Sequence, residues 1–489
     1  MLENQTTFSQ HPAGQTALHP TRDIYFALMQ SHPGDAARER AREYLMKKLE
    51  EVAAEPTDLP TDMSLLPDWV EAGSVATGKR YRDYIAARRA GSPRRYFASK
   101  AHALYFLKAV APTKMVDGAW LYGLLPRWRD ARYAHLIRIY LEELGEGSPD
   151  KNHVVIYRSL LATHGCDQWH DLDDNYFVQG TLQLALAYHA AHFLPEVIGF
   201  NLGYEQLPLH LLVSAYELNE LGIDPYYFTL HVTVDNAASG HATKAMQGLF
   251  DALPHIADKD EFYRRVMNGY KLSSAGVGTE DVIEEFSLDD EVLNILMAKS
   301  RIGAQLHSDY CRIAGKTVNE WLSEPGQLPG FIDSLQQAGW IKRHQNPENS
   351  RFWKLIEGEQ PPMFGVFNSY ERQLIHDWIA GDSVDHLRSR QLSYRAKQGL
   401  LGKLQPRGAA DGAYAAGQAA REASSYIDDS DEAPDDFDME LRLLEDGLSA
   451  SPNSDEAMDL LIRLMSPVHH HTAPGLMATR LFTQLHKSA

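Results

Sequence analysis

Cysteine is scarce in this sequence, and its scarcity excludes several classes of protein. The 489 residues include only Cys166 and Cys311, which are too few for a disulfide framework, a cysteine-rich zinc module or a four-thiolate cluster. The sequence also lacks any run of about 18 uncharged apolar residues, the length that a membrane-spanning helix needs. Its polar start, Met1 to Pro20, does not have the basic-then-apolar order of a secretory signal. We therefore expect a cytoplasmic protein without a membrane partner.

Basic residues are fewer than acidic residues, and this balance argues against nucleic acids as partners. The chain has 47 Lys and Arg residues against 66 Asp and Glu residues, and its formal net charge is −19. A field of this sign repels nucleic acids and anionic membrane surfaces. We therefore expect no nucleic-acid partner.

The common catalytic motifs are also missing. Residues 73–80 approach a phosphate-binding loop, but they lack the Ser or Thr that should follow Lys79 and the apolar strand that should precede the loop. No G-x-G-x-x-G, H-E-x-x-H, G-x-S-x-G or E-x-x-H motif occurs in the chain. These absences remove the usual sequence arguments for dinucleotide-binding, zinc-protease, serine-hydrolase and ferritin-type diiron chemistry.

The apolar residues that are present recur mainly at helical spacing. Residues 227–235 have a strand-like composition, but they run directly into an Ala-rich stretch, so we predict a helix there too. The fold class predicted from these patterns is all-α. The predicted helices are Glu39–Val52, Lys100–Val110, Trp120–Leu125, Tyr133–Leu144, Asn152–His164, Gly180–Phe193, Pro208–Leu221 and Tyr226–Val234.

Composition divides the chain into five parts. The Gly/Ala-rich and then acidic stretch late in the chain predicts a flexible, disordered linker. The consecutive histidines His469, His470 and His471 are interpreted as a solvated cluster. The five parts are an N-terminal helical extension (1–95), a main helical domain (96–300), an accessory C-terminal helical unit (301–400), the linker (401–453) and short C-terminal helices (454–489).

Two segments of the main domain carry the first candidate ligands. Glu143 ends one predicted helix and His153 begins the next, and the glycines and proline between them allow a kink that turns both side chains inward. Glu205 lies in an otherwise apolar segment, where an unpaired charge would cost several kcal/mol. Glu205 therefore needs a partner, either a positively charged group or a bound metal ion.

A third group of candidate ligands lies on the last helix of this series. His231 and Asp235 are four residues apart, on one helix face. His241 can join them only if the helix breaks, which Gly240 would permit. Three carboxylates and three imidazoles form a mixed donor set that suits Fe(II) or Mn(II) better than structural zinc. Taken singly, each pair is better interpreted as a satisfied core histidine or a buried ion pair.

The order of these residues resembles that of the haem-oxygenase-like diiron oxidases and oxygenases, also called iron-containing redox enzymes. The resemblance covers roughly residues 101–248 and rests on E-L-G-x-G-x-P-x-x-x-H at 143–153, Y-E at 204–205 and Y-F-x-L-H-x-x-x-D at 227–235. It implies a haem-oxygenase-like helical bundle within residues 96–300 that holds two Fe(II)/Fe(III) ions. The metal ligands implied are Glu143, His153, Glu205, His231, Asp235 and His241.

The sequence departs from the family pattern at the last ligand. The usual second histidine falls on Ala238, so His241 is assigned provisionally. Some members recruit a further carboxylate from an earlier helix, and Asp117 is the candidate here, although we favour a helix-start role for it. Other nearby residues are predicted to be solvated or capping acids (Glu142, Glu146, Glu217, Glu220) or packed core tyrosines (Tyr157, Tyr204, Tyr226, Tyr227).

The resemblance also implies an activity. Family members use Fe(II) and O₂ as co-substrate, and we expect oxidation of a small amine or amino acid, with N-oxygenation the preferred single reaction, in natural-product biosynthesis. An electron donor is the expected protein or small-molecule partner, and a homodimer is compatible with this class. The alternatives are a metal-independent helical enzyme of the same general fold and a non-catalytic, partner-binding scaffold. Stoichiometric iron binding would distinguish the first interpretation from the other two.

Overall fold

The computed structural model describes residues 19–234, 240–256, 258–303, 307, 309–359, 361–381, 392–404 and 436–488. Within these ranges nearly all of the regular structure is helical. The exception is one antiparallel pair of two-residue strands, β1 (Arg312–Ile313) and β2 (Lys316–Thr317). The all-α class predicted from the sequence is therefore confirmed. None of the helices in these ranges is long and apolar enough to cross a membrane.

Three helices precede the main domain and contribute to its core. Tyr25, Leu28 and Leu45 are fully buried and belong to the same apolar cluster as the later helices. The stretch 73–80 lies inside the third of these helices, so it does not form a phosphate-binding loop. The three helices are α1 (Pro20–Leu28), α2 (Asp35–Ala53) and α3 (Leu66–Arg89), with a 3₁₀ turn at Met63–Leu65.

The main domain begins with nine α-helices, and every apolar segment predicted to be helical is helical here. Residues 227–234 of the segment with strand-like composition are helical as well. Tyr227, Phe228 and His231 are buried, so tertiary packing outweighs the weak preference of the β-branched residues. The helices are α4 (Lys100–Ala109), α5 (Ala111–Lys114), α6 (Ala134–Glu143), α7 (His153–His164), α8 (Val178–His189), α9 (Leu194–Tyr204), α10 (Leu209–Glu220), α11 (Tyr226–Val234) and α12 (His241–Asp251), with 3₁₀ segments at Ala119–Arg127, Ala131–Tyr133, Gly145–Gly147 and Asp174–Phe177.

Close packing between two helices fixes the position of Glu205. Helix α13 (Lys259–Leu272) lies against α9 along its length. A Cβ atom at Gly199 would lie 1.8 Å from the carbonyl oxygen of Val266, and one at Gly269 would lie 2.1 Å from that of Glu196. The two backbones can therefore approach this closely only because both positions are glycine. Since α9 ends immediately before Glu205, this contact anchors the base of that side chain.

The remaining helices form the accessory unit and the C-terminal segment. The accessory helices cover part of the main bundle, where α19 packs against α4. Their bounds are α14 (Thr279–Glu284), α15 (Leu288–Gly303), α16 (Val318–Leu322), α17 (Leu328–Gln337), α18 (Arg351–Glu357), α19 (Ser369–Ala380), α20 (Tyr394–Leu404), α21 (Asp436–Ala450), α22 (Ser454–Leu464) and α23 (Ala473–Ser488), with 3₁₀ turns at Pro325–Gln327 and Pro347–Asn349.

The structure differs from the predicted linker at its C-terminal end. Residues 405–435 lie outside the described residues, but α21 occupies residues that the acidic composition assigned to the linker. Leu441, Leu444 and Leu448 recur at helical spacing among the acids, and Leu444 is buried against the core. The linker prediction is wrong for α21 because this apolar face, rather than the net charge, decides whether the segment packs.

Candidate metal centre

A sharp break between α6 and α7 brings the first two candidate ligands together. Glu143 is the last residue of α6 and His153 is the first of α7. Gly145 and Gly147 have φ angles of 64° and 82°, and a Cβ atom at Gly145 would lie 2.5 Å from the backbone nitrogen of Asn152. Residues with a side chain rarely adopt this left-handed backbone conformation. The tight reversal therefore depends on glycine at these positions. The Asn152 side chain then accepts a hydrogen bond from Val155 N–H at 3.1 Å and caps α7.

Four buried side chains form a first group of candidate ligands. One ligand atom from each of Asp117, Glu143, His153 and His231 lies within 4.8 Å of the others. Asp117 Oδ2 is 3.2 Å from His231 Nε2 and 3.7 Å from His153 Nδ1. Oε2 of Glu143 lies beside Nδ1 of His153. The arrangement offers two carboxylates and two imidazoles to one point in the protein interior.

A second group shares Glu143 with the first. His241 Nδ1 lies 3.0 Å from Glu205 Oε2 and 3.3 Å from Glu143 Oε1, and the three residues meet the same distance criterion of 4.8 Å. Glu143 therefore directs Oε2 towards the first group and Oε1 towards the second. Glu143 is therefore placed so that two cations could share it, whereas Glu205 belongs to the second group alone.

The orientation of the His231 imidazole fits a metal ligand. Its Nδ1–H donates to the carbonyl oxygen of Tyr227 at 2.8 Å, so Nε2 is the nitrogen that faces Asp117. Burial, together with the nearby charge of His153, lowers the pKa of His231, so its Nε2 carries a lone pair. A lone pair and a carboxylate oxygen repel each other at 3.2 Å unless a cation lies between them.

The His153 imidazole supports the same conclusion. Its Nδ1 lies beside Glu143 without the alignment of a hydrogen bond, and it has no hydrogen-bond partner among the residues that the structure describes. Buried polar atoms without partners are rare, and a missing ion is one of the usual reasons for them. The donor set and its orientation therefore fit a metal in the first group.

Outer partners hold both groups in place. The Tyr227 hydroxyl donates to Asp117 Oδ2 at 2.6 Å. On the other side, Glu142 Oε2 accepts a hydrogen bond from the Nε2–H of His241 at 2.8 Å, so His241 Nδ1 faces Glu143 and Glu205. Metal-binding histidines commonly donate their second N–H to a carboxylate or carbonyl in this way. Glu142 is therefore half-buried and paired, and its predicted solvated or capping role is wrong.

Protons balance the charges of these carboxylates in the metal-free protein. Burial by itself would lower the pKa of His153, but the Glu143 carboxylate outweighs it and raises this pKa to about 10. Burial is likewise outweighed at His241, whose pKa is raised by Glu205, Glu142 and Glu143. Burial opposes ionisation of Glu143, yet the charge of His153 and the hydrogen bond from His241 hold the Glu143 pKa well below its usual value. Cations are thus favoured at both groups.

Asp117 is the site residue that the sequence argument undervalued. The 3₁₀ segment after it has Gly118 as its N-cap and no side-chain capping bond, so the helix-start role is not observed. Asp117 instead is buried and faces His153 and His231. Burial alone would raise the pKa of Asp117, but the charge of Lys114 and the contacts of the carboxylate with these histidines hold that pKa well below its usual value. In the sequence, the only indication of a ligand role for Asp117 was the resemblance, because some members of that family recruit a carboxylate from an earlier helix.

The structure places the last predicted ligands in different ways. Asp235, like Ala238, lies outside the described residues, so its role as a ligand stays a prediction. The break required for His241 does occur, because α11 ends at Val234 and α12 begins at His241 with Gly240 as its N-cap. Glu143, His153, Glu205, His231 and His241 are thus brought together as the sequence pattern predicts, and their binding of metal stays a prediction.

Several neighbouring residues have structural roles. Glu217 is fully buried, contrary to its predicted solvated or capping role, and accepts backbone N–H groups from residues 95–97 as well as the Tyr84 hydroxyl. Glu220 pairs with Arg88 at 2.6 Å. The remaining predicted residues have these partners: Tyr157 donates to Leu107 O, Tyr204 to Gln179, Tyr226 to Asp150 O, and Glu146 pairs with Arg138.

The histidine cluster near the C-terminus is partly buried rather than solvated. His470 is 2% exposed, and its Nδ1 lies 3.1 Å from the side-chain nitrogen of Asn152, the N-cap of α7. His471 Nε2 contacts Arg158 on the same helix. The prediction of a solvated cluster is wrong because these residues pack against α7, more than 300 residues earlier in the chain, and local composition does not reveal such a contact.

A cavity of about 400 Å³ lies beside the two groups. Asp117, Glu143, Glu205 and His231 form one end of it, so the candidate ligands face a space in which a small molecule can fit. The other walls carry Lys114, His210 and the apolar side chains of Phe106, Leu211, Phe228 and Val277.

Residues 104–274 match the model of a family described as iron-containing redox enzyme. This range contains all the described residues of both groups, from Asp117 to His241. The match supports the haem-oxygenase-like superfamily recognised in the sequence, and with the helical fold it confirms that recognition. Comparisons with the curated proteins and with the solved structures found no match.

Proposed function

We propose, from the membership of residues 104–274 in the haem-oxygenase-like superfamily of iron-containing redox enzymes, that this protein is a non-haem diiron oxygenase. It would use O₂ to oxidise a small amine or amino acid, with N-oxygenation as the favoured reaction and natural-product biosynthesis as its setting. The observation that carries the proposal is the position of Glu143, whose two oxygens face two separate buried groups of ligands.

The ligand types favour iron over other ions. Mixed carboxylate and imidazole donors suit Fe(II), whereas structural zinc sites are usually rich in cysteine. Neither of the two described groups contains a cysteine. Asp117, Glu143, His153 and His231 would hold one iron, and Glu143, Glu205 and His241 the other. When bound, the two irons would supply electrons and coordination positions for the reduction of O₂.

The protein's own groups orient the candidate ligands. Tyr227 holds the Asp117 carboxylate through its hydroxyl and the His231 imidazole through its carbonyl. Glu142 holds His241 and is itself held by Arg138 at 2.7 Å. These contacts fix the directions of the ligand atoms before metal or substrate arrives, which lowers the cost of reorganisation during the reaction.

The favoured reaction sets the co-reactants that the enzyme needs. When a primary amine becomes a hydroxylamine, one oxygen atom of O₂ enters the N–O bond and the other leaves as water. Two electrons and two protons are needed in addition to those of the amine, and an external electron donor would supply the electrons. The substrate amine would lie in the cavity beside Glu143 and Glu205, where the ligand groups face open space.

Anaerobic titration with Fe(II) tests the proposal. We expect two irons per chain, counted by metal analysis and Mössbauer spectroscopy, followed by O₂ consumption on mixing. Glu143→Gln should lower the iron content strongly at both positions, because it weakens the carboxylate shared by the two groups. Glu146→Gln is the matched control, since this acid pairs with Arg138 on the outer side of the same turn and should keep both irons.

Two outcomes would contradict the proposal. Absence of saturable Fe(II) binding in the folded parent protein would favour the metal-independent enzyme or the binding scaffold. Full iron content in Glu143→Gln, with helical content equal to the parent by circular dichroism, would show that the shared carboxylate does not hold metal. Normal iron content and O₂ consumption in His241→Ala would remove that residue alone from the ligand set.

A further inference from the structure

The cavity beside the metal groups has walls of unequal character. One end carries the candidate ligands, and much of the remainder is formed by apolar side chains such as Phe106, Leu211, Phe228 and Val277. A volume of about 400 Å³ lies in the range of small-molecule sites. A substrate that fills it therefore needs an apolar portion to cover these walls.

Lys114 is the single Lys or Arg side chain among the described residues that line this cavity. It ends the short helix α5, three residues before Asp117. Its Nζ lies 5.7 Å from the centroid of the Tyr227 ring. Within the described part of the chain, its ammonium group makes no hydrogen bond and no ion pair. An ammonium group that is half-buried at a cavity wall, with no hydrogen-bond acceptor among the described residues, is suited to bind an anion.

The charge of the loaded site leads to the same expectation. Two Fe(II) ions would bring four positive charges against the three carboxylates of Asp117, Glu143 and Glu205. If Asp235 supplied a fourth carboxylate, the four negative charges would balance the four positive charges of the two ions. The positive charge of Lys114 would then remain uncompensated. A cavity with excess positive charge favours a substrate that carries a negative group.

We propose that Lys114 binds the carboxylate of the substrate, and that the substrate is an α-amino acid with an apolar side chain. An α-amine is one carbon away from its carboxylate, so a carboxylate held beside Asp117 and Tyr227 places the amine next to the metal ligands. The apolar side chain then lies along Phe106, Leu211 and Phe228. This inference rests on the proposed function for the fate of the amine, but the binding of the carboxylate can be tested without it.

Three matched probes separate the contributions of the substrate groups. L-Norleucine carries the amine, the carboxylate and an apolar chain; n-pentylamine lacks the carboxylate, and hexanoate lacks the amine. Their affinities are measured by calorimetry on the full-length protein, both metal-free and anaerobically loaded with Fe(II). A charge-assisted hydrogen bond should make norleucine bind about tenfold or more tightly than pentylamine.

Variants of Lys114 identify the source of this preference. Lys114→Met keeps the length of the side chain and removes its charge, so norleucine should weaken about tenfold or more while pentylamine does not. Lys114→Arg should retain part of the preference, because a guanidinium also binds carboxylates. Lys108→Met is the matched control, since Lys108 lies over the ring of Tyr370 at 5.1 Å and does not line the cavity. Iron content should not fall in Lys114→Met.

Each possible outcome decides the proposal. Equal affinities of norleucine and pentylamine for the parent protein, unchanged norleucine affinity in Lys114→Met, or no binding of any probe would overturn it. A carboxylate preference that depends on Lys114 but appears in a protein that binds no iron would support this inference while contradicting the proposed function. Two bound irons without the preference would leave the proposed function intact and overturn the inference.

Discussion

Iron binding should release protons from this protein, and the release follows from the charges in the metal-free site. The Glu143 carboxylate, opposing the effect of burial, raises the pKa of His153 to about 10. The pKa of His241 is also raised, by three carboxylates acting against burial. Both imidazoles are therefore protonated near pH 7, whereas a metal-bound imidazole nitrogen must carry a lone pair. Each iron should displace one proton, from His153 in the first group and from His241 in the second.

The size of the effect can be worked out for His153. Removing a proton from a group of pKa about 10 near pH 7 costs roughly 3 pK units, or about 4 kcal/mol. This cost falls as the pH rises, so apparent iron affinity should increase about tenfold per pH unit for each iron while its histidine is protonated in the metal-free protein. The sign is definite: a proton competes with the metal, and therefore a lower pH weakens binding.

Calorimetry in two buffers with different ionisation enthalpies counts the protons released when Fe(II) binds anaerobically. We expect about two per chain near pH 7, and weaker binding as the pH is lowered. His135→Asn is a matched control, because His135 pairs with Asp251 in a half-exposed position outside both groups; it should leave the count unchanged. A proton count of zero with two irons bound, or an affinity independent of pH, would refute the assignment of these protonated histidines as ligands.

Three further substitutions separate metal binding from stability. Asp117→Asn keeps the shape of the side chain and weakens its ligand, so the first group should lose its iron and the second should keep it; metal analysis giving two irons per chain would contradict a ligand role for Asp117. Glu217→Gln leaves backbone N–H groups of residues 95–97 with a neutral acceptor, and we expect unfolding in denaturant to show a loss of about 2 to 4 kcal/mol with iron content unchanged. Glu220→Gln, which weakens a partly exposed pair with Arg88, should cost less than about 1 kcal/mol.

The fold and much of the site could be predicted because local signals were strong. Helical spacing of apolar residues set the bounds of α7 and α11 to within a residue or two. The glycines around Glu146 marked the reversal that lets Glu143 and His153 meet, since the residues between them can reach a left-handed backbone conformation. Where a short stretch of chain determines its own geometry, the sequence carries enough information to place the side chains.

Contacts between distant segments could not be predicted in the same way. Asp117 and His231 are separated by 114 residues, and nothing near Asp117 shows which helix it will face. His470 is separated from Asn152 by 318 residues, and the composition around it suggested a solvated tail. Such contacts depend on how complete helices pack, and single-sequence patterns do not encode that packing directly.

The C-terminal helices α22 and α23 therefore contact the candidate metal site from outside the segment that matches the family. Tyr140 donates to Met465 O at 2.6 Å, and Arg480 contacts Gly147 O at 3.2 Å. Together with His470 beside Asn152, these contacts hold both ends of the turn between Glu143 and His153. The ligand order comes from residues 104–274, but the geometry of the first pair depends on helices about 200 residues beyond that range.

Gly147→Ala tests this dependence. A Cβ atom there would lie 2.4 Å from Leu476 O, and its φ of 82° is unfavourable for alanine. We expect a loss of about 2 kcal/mol or more in unfolding free energy and a lower iron content, because α23 must move away from the turn. Gly91→Ala has the same kind of backbone strain, at φ 97°, with nothing within 4 Å, and should cost only about 1 to 2 kcal/mol while keeping both irons. Equal iron content in the two variants would mean that the C-terminal helices do not position Glu143 and His153.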